Sequence, residues 1–75
     1  MKKLFALSSV FVSYGKYYSL DDTKYFLAEN MESVASKLLN RGLYLSEKNN
    51  YRYENYLNEN KYTVHQLVEV EVTEL

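Results

Sequence analysis

Residues 30–42 read NMESVASKLLNRG, and this stretch decides how the rest of the chain can fold. Asn30 is a residue type favoured at the N-cap of a helix, and Gly42 is one favoured just after a helix ends. Between them, apolar residues recur at the spacing of an amphipathic helix: Met31, Val34, Ala35, Leu38 and Leu39. A helix of about eleven residues is too short to be stable alone in water. Its apolar stripe must therefore lie against a sheet formed by the flanking segments.

The segment before this helix has the pattern of a β-hairpin. Residues 3–14 are rich in β-branched and aromatic side chains, which predicts a long first strand with a bulge at Ser8 and Ser9. Residues 15–22 contain a glycine and two aspartates, residue types that favour turns, so we expect the chain to reverse there in a longish loop. Residues 23–29 then predict a second, antiparallel strand.

The start of the chain also has the outline of a secretory signal, because two lysines precede the apolar run of residues 4–7. Two serines interrupt that run, and no small-residue cleavage motif follows it. We therefore interpret the segment as a strand of the folded domain.

Three segments after the helix complete the predicted sheet. Residues 43–45 are a short apolar run that predicts a third strand. Residues 46–61 are rich in asparagine and fit both strand and helix spacing, and we favour a strand or an irregular hairpin. Residues 62–73 predict a final strand, in which alternation places three valines inward and three polar residues outward. The inward residues are Val68, Val70 and Val72, and the outward residues are Glu69, Glu71 and Thr73.

These elements, in the order β-β-α-β-(β)-β, predict one α+β domain over residues 1–75. We expect the single helix to pack on a curved antiparallel sheet of four to five strands. A chain of this size without disulfides has a small core, and such chains often gain stability by burying surface against a copy of themselves or a partner.

The composition gives no support for an enzyme. There is no cysteine and only one histidine, which excludes disulfides, thiolate nucleophiles and zinc sites built from Cys and His. The two glycines stand apart, so there is no phosphate-binding loop. We interpret His65 as a packing or surface residue, and Asp21 and Asp22 as a solvated turn. We therefore predict no catalytic residue, no cofactor and no metal site.

Charge is balanced in total but unevenly distributed. The net charge of −1 gives no general attraction to nucleic acid or anionic lipid, and no apolar run is long enough to span a bilayer. Residues 1–28 carry four lysines against two aspartates, whereas residues 62–75 carry three glutamates and no Lys or Arg. Glu69 and Glu71 thus predict an acidic stripe suited to a basic groove on another protein. The alternative is that these charges protect a strand edge from aggregation.

Nine tyrosines and three phenylalanines exceed what one short helix and a thin sheet can hide. We therefore expect several of these rings to be exposed or to lie at an interface, where tyrosine is favoured. The candidate partner-binding residues are two groups of tyrosines and the acidic stripe: Tyr17, Tyr18, Tyr51, Tyr53, Tyr56, Glu69 and Glu71.

A hairpin that leads into TKYFLAENMESVASKLLNRG (residues 23–42), followed by HQLVEVEV (residues 65–72), resembles small phage-encoded proteins. Among these are anti-CRISPR inhibitors in which a curled antiparallel sheet wraps one helix. The resemblance covers residues 3–42 and 62–73 at the level of pattern. It implies an inhibitor that acts without catalysis, by occupying a groove on a defence complex in the cytoplasm of a bacterial host. Such proteins share no binding motif, so the resemblance assigns no site residue.

Our first hypothesis is therefore a non-enzymatic interaction protein, a phage or mobile-element inhibitor whose partner is a host or defence-system protein. A second copy of the chain is a further candidate partner, and no membrane partner is predicted. One alternative is a small-ligand or nucleotide binder formed at a homo-oligomer interface. Another is a single-strand nucleic-acid module in which tyrosines stack on bases, which the lack of surplus positive charge disfavours.

Overall fold

The structure is a computed structural model that describes residues 1–73, with the side chain of each of them except Asp21. Those residues form four strands and two helices: β1 (Lys3–Ser13), β2 (Lys16–Ala28), α1 (Met31–Leu39), a 3₁₀ helix (Glu47–Asn49), β3 (Arg52–Asn58) and β4 (Lys61–Val70). The strands make one antiparallel sheet in the order β2-β1-β4-β3. With α1 packed on one side, this is the α+β class that the sequence predicts.

The β1–β2 hairpin turns through only two residues, Tyr14 and Gly15, whose φ angles are 48° and 79°. Two successive positive φ angles give a tight turn that matches the twist of the flanking strands. The longish loop predicted over residues 15–22 is therefore wrong, because β2 starts at Lys16 and pairs with β1 from there on.

The pairing of β1 with β2 slips between Leu7 and Ser9, so the bulge predicted at Ser8 and Ser9 is confirmed. Residues 21–23 of β2 lie opposite this slip. The acidic pair that we expected in a solvated turn is thus part of a strand, and the side chain of Asp21 lies outside the described part of the structure.

Helix α1 begins and ends as the sequence predicts. The Asn30 side-chain oxygen accepts a hydrogen bond from the backbone N–H of Ser33 at 2.8 Å. The helix stops before Gly42, whose φ of 93° favours glycine. One side of the helix packs on the sheet, and the buried core combines residues from the helix, the sheet and the following loop: Phe5, Leu7, Val34, Ala35, Leu38, Leu45 and Leu67.

The third strand predicted at residues 43–45 is wrong. These residues form no regular element, and Leu45 is buried in the core instead of pairing in the sheet. The chain has to cross back from the helix to the sheet after Gly42, and the apolar run fills space beneath the helix on the way. The strand that we favoured within residues 46–61 is confirmed over β3, after the short 3₁₀ helix.

Strand β4 ends at Val70 rather than at Thr73, and its valines do not face the core. Leu67 is 1% exposed and packs beneath the helix, whereas Val68 is 43% and Val72 is 73% exposed. Since successive strand residues face opposite sides, Leu67 sets the core side and Val68 and Val70 face away from it, while Val72 lies beyond the strand. The inward prediction is therefore wrong, because within residues 1–73 no second layer covers the valine side.

Candidate protein interface

The two sides of the sheet differ in what covers them. Residues that pair across antiparallel strands share a side, and successive residues alternate between sides. The register places Phe5, Leu7 and Leu67 on the side that α1 covers, which we call the helix face. The opposite side, which we call the open face, has no covering layer among the described residues. Its apolar and aromatic members are Leu4, Ala6, Val10, Val12, Tyr17, Tyr25, Leu27, Tyr56, Tyr62, Val64, Val68 and Val70.

Large side chains of the outer strand β2 stand exposed on the open face. Tyr17 is 73%, Tyr25 is 63% and Leu27 is 66% exposed. The central strand β1 carries smaller residues, and Val12 is buried although it does not belong to the core beneath the helix. The register places Val12 between Tyr17 and Tyr62 on the neighbouring strands. The open face thus combines aliphatic residues in the middle with aromatic rings on either side.

At the β3 side of the open face, the charges neutralise each other. A guanidinium nitrogen of Arg52 lies 2.9 Å from one carboxylate oxygen of Glu54, and the Tyr56 hydroxyl donates to the other at 2.6 Å. This hydrogen bond, together with burial and the charge of Glu54, raises the pKa of Tyr56. The Tyr56 ring also lies 4.6 Å from the ring of Tyr62, centroid to centroid. This edge therefore offers paired rings and an ion pair rather than a net charge.

The helix face also carries a second aromatic group, which we call the aromatic patch. The rings of Phe11 and Tyr18 lie 6.4 Å apart, and the rings of Tyr53 and His65 stack at 6.2 Å. All four residues share the helix face in the register.

His65 joins this patch to the centre of the sheet. Its Nδ1 atom lies 2.7 Å from the hydroxyl of buried Ser9, which donates when Nδ1 carries no proton. Burial lowers the pKa of His65, and the charge of Asp22 opposes that shift. Among the described side chains, no group of three His, Asp or Glu residues could hold a metal ion.

The predicted tyrosines do not form one surface. Tyr17 and Tyr56 lie on the open face, whereas Tyr18 and Tyr53 lie on the helix face. Tyr51 packs against the core beneath α1. The expectation that several tyrosines are exposed is nevertheless confirmed, and the exposed ones are Tyr14, Tyr17, Tyr18, Tyr25, Tyr44 and Tyr56.

The two predicted acidic residues lie at the end of β4. A carboxylate oxygen of Glu69 is 3.9 Å from the ammonium nitrogen of Lys3. Glu71 follows the last residue of the strand and is exposed. The third acidic residue of this segment, Glu74, lies outside the described residues.

Sequence reasoning missed several members of the open face, chiefly Tyr25, Leu27 and Val68. The signal that could have found them is alternation within β2, where Tyr25 and Leu27 share the side opposite to Phe26. That pattern divides the strand into two sides, but it does not say which side the helix covers.

No protein-family model matches this chain, and neither curated protein sequences nor solved structures give a significant match. Within residues 1–73, no helix is long and apolar enough to cross a membrane.

Proposed function

We propose that this protein is a non-enzymatic interaction protein that binds a partner protein with the open face of its sheet. The observation that carries the proposal is a sheet side with twelve aliphatic and aromatic residues and no covering layer in the described structure, on which Tyr17, Tyr25 and Leu27 stand exposed. Contiguous exposed apolar surface of this kind marks interaction sites, because water solvates it poorly.

The open face is large enough for a specific interface. The β1–β4 pairing runs from Leu4 to Ser13, and four strands at about 4.8 Å spacing and 3.3 Å rise give about 600 Å² of projected area. A standard interface buries roughly 800 Å² per partner, so the open face could supply most of one. Its exposed tyrosines are of the type that anchors protein interfaces.

The chemistry of the open face favours a protein partner over a nucleic acid. Its ion pair, Arg52 with Glu54, leaves no surplus positive charge there for phosphates. A stacking site that uses Tyr17 and Tyr53 together is also disfavoured, since these rings lie on opposite sides of the sheet. We propose a bacterial defence or host complex as the source of the partner, on the resemblance to phage-encoded inhibitors and the Lys-, Asn- and Tyr-rich composition.

Affinity capture from a bacterial lysate tests the proposal. The Tyr17→Lys variant places a charge on the open face, and Tyr44→Lys makes the same change at an exposed tyrosine in the loop after α1. The wild type and Tyr44→Lys should both retain one stoichiometric partner protein, which Tyr17→Lys should lose while keeping its circular dichroism spectrum. Equal retention by all three proteins would contradict the proposal, as would recovery of the chain alone.

A further inference from the structure

A groove separates the outer edge of β2 from α1. Its volume is about 280 Å³, and it is lined by Phe26, Ala28, Val34 and Leu38 with Lys37 and Arg41 beside them. Because β2 is the first strand in the sheet order, no described strand pairs with this edge. The groove thus places an apolar floor and two cations along a row of unpaired backbone hydrogen-bonding groups.

The stretch of β2 beside the groove differs from the other outer strand, β3. Strand β3 carries Arg52, Glu54 and two asparagines, and its register shifts near the end. Charges and bulges of this kind discourage another strand from pairing. Residues 25–28 of β2, beside the groove, have no charge and no proline, and the β1–β2 register is regular there. This stretch is therefore an unprotected edge, as in domains that bind an extended segment by adding it to their sheet.

The cations of the groove have no carboxylate partner in the described structure. Among the described side chains, the ion pairs join Lys3 to Glu69 and Arg52 to Glu54. Lys37 lies in the last turn of α1 and Arg41 lies two residues after its end, and both line the groove. A segment with two acidic residues on one side would complement them.

The chain itself contains such a segment. Residues 68–73 read VEVEVT, with glutamates at alternate positions. Strand β3 pairs with β4 only as far as Gln66, so beyond Leu67 one edge of β4 has no described neighbour. Val72 lies past the end of β4 and is exposed. Residues 68–70 are therefore extended with one edge free, and residues 71–73 continue from them without a regular element.

We propose that residues 68–73 of one copy add as a strand to residues 25–28 of β2 in a second copy. An antiparallel register that pairs Glu69 with Ala28 and Glu71 with Phe26 leaves β3 in place. It puts both glutamates on the helix face, beside the cations of the groove. The alternating valines then extend the open face next to Leu27. The groove lies at the β2 edge of the sheet and the free edge of the segment faces the β3 side, so the contact is head-to-tail and builds chains or rings.

Sedimentation velocity over a range of protein concentrations tests this proposal, which is independent of the proposed function. The wild type should associate in a concentration-dependent manner, and less so at high salt because exposed ion pairs are screened. Arg41→Glu and Glu71→Lys should each weaken association by about threefold to tenfold, and the double variant should recover it. Lys48→Glu, which makes the same charge change in the 3₁₀ helix away from the groove, should associate like the wild type.

A wild type that stays monomeric at every concentration would overturn the proposal. So would association that ignores both charge reversals and is abolished by Tyr17→Lys, because the copies would then meet through their open faces. The substituted residues are exposed, and circular dichroism confirms that each variant is folded. Capture of a partner from lysate is a separate measurement. The self-association proposed here and the partner binding proposed above can therefore fail independently.

Discussion

At the scale of single residues, His65 shows how a polar group is accommodated on a sheet side that is only partly covered. Its ring lies against Tyr53, and its Nδ1 atom is hydrogen-bonded to the hydroxyl of Ser9. Both groups would lose hydration by being placed there, and the hydrogen bond replaces part of what water supplied. The neutral imidazole fits this environment better than the charged one.

The lowered pKa of His65 predicts how stability depends on pH. The unfolded chain binds a proton near pH 6.5, while the folded chain resists it, so stability is fully present above pH 6.5. It should fall as the pH drops through 6.5 toward the lower folded pKa. Urea unfolding at a series of pH values measures this slope, which His65→Gln should reduce. An unchanged slope in that variant would show that other groups, such as the carboxylates, account for it.

At the scale of elements, α1 is defined at its start by one side chain. The Asn30 oxygen accepts hydrogen bonds from both the N–H and the hydroxyl of Ser33, at 2.8 and 3.0 Å. Such a cap satisfies backbone groups that a short helix cannot satisfy by itself. The helix in turn supplies three of the buried residues of the core.

Removing this cap should therefore weaken the whole fold. Asn30→Ala should lower the free energy of unfolding by about 1 kcal/mol, since the orphaned N–H groups lose their acceptor. Asn30→Asp, which keeps an acceptor at that position, should stay close to the wild type. Urea denaturation monitored by circular dichroism compares the three proteins. Equal losses in both variants would contradict a capping role.

The elements also show how far local sequence carries a prediction. The helix and its two ends follow from residue types at fixed spacing, and the bulge of β1 follows from a break in alternation. The length of the β1–β2 turn does not, because Tyr14 adopts a positive φ that its residue type does not favour. Residues 43–45 have the composition of a strand. Their leucines pack against the core instead, because of where the helix lies on the sheet.

At the scale of the whole molecule, the sheet has one side committed to the core and one side without cover in the described structure. Phe5, Ala6 and Leu7 are all apolar and all buried, so the sequence of β1 does not reveal which side the helix takes. The same ambiguity explains why alternation alone does not place Tyr25 and Leu27 on the open face, and why the inward prediction for the valines of β4 is wrong. The candidate interface depends on tertiary arrangement, which alternation within one strand cannot report.

Substitutions at two neighbouring residues of β2 should have different effects, one on stability and the other on partner binding. Phe26 packs against the core, so Phe26→Ala should lower the free energy of unfolding by about 2 kcal/mol or more. Leu27 is exposed on the open face, so Leu27→Ala should change stability by less than about 0.5 kcal/mol. Urea unfolding measures both changes. Lysate capture should show weaker partner binding for Leu27→Ala. A large loss of stability in that variant would contradict the prediction, because it would mean that Leu27 is part of the core.

The central position of β1 has a consequence for how the chain is made. Its neighbours are β2, which follows it directly, and β4, which pairs Val70 with Leu4 across nearly the whole length of the chain. A nascent chain on the ribosome can form the first hairpin and the helix early, but β1 keeps a bare inner edge until residues 61–70 emerge. Leu67, which seals the core, arrives only then. Folding of this domain therefore cannot be completed before β4 has emerged, and a product that stops before β4 would be a ready target for proteases.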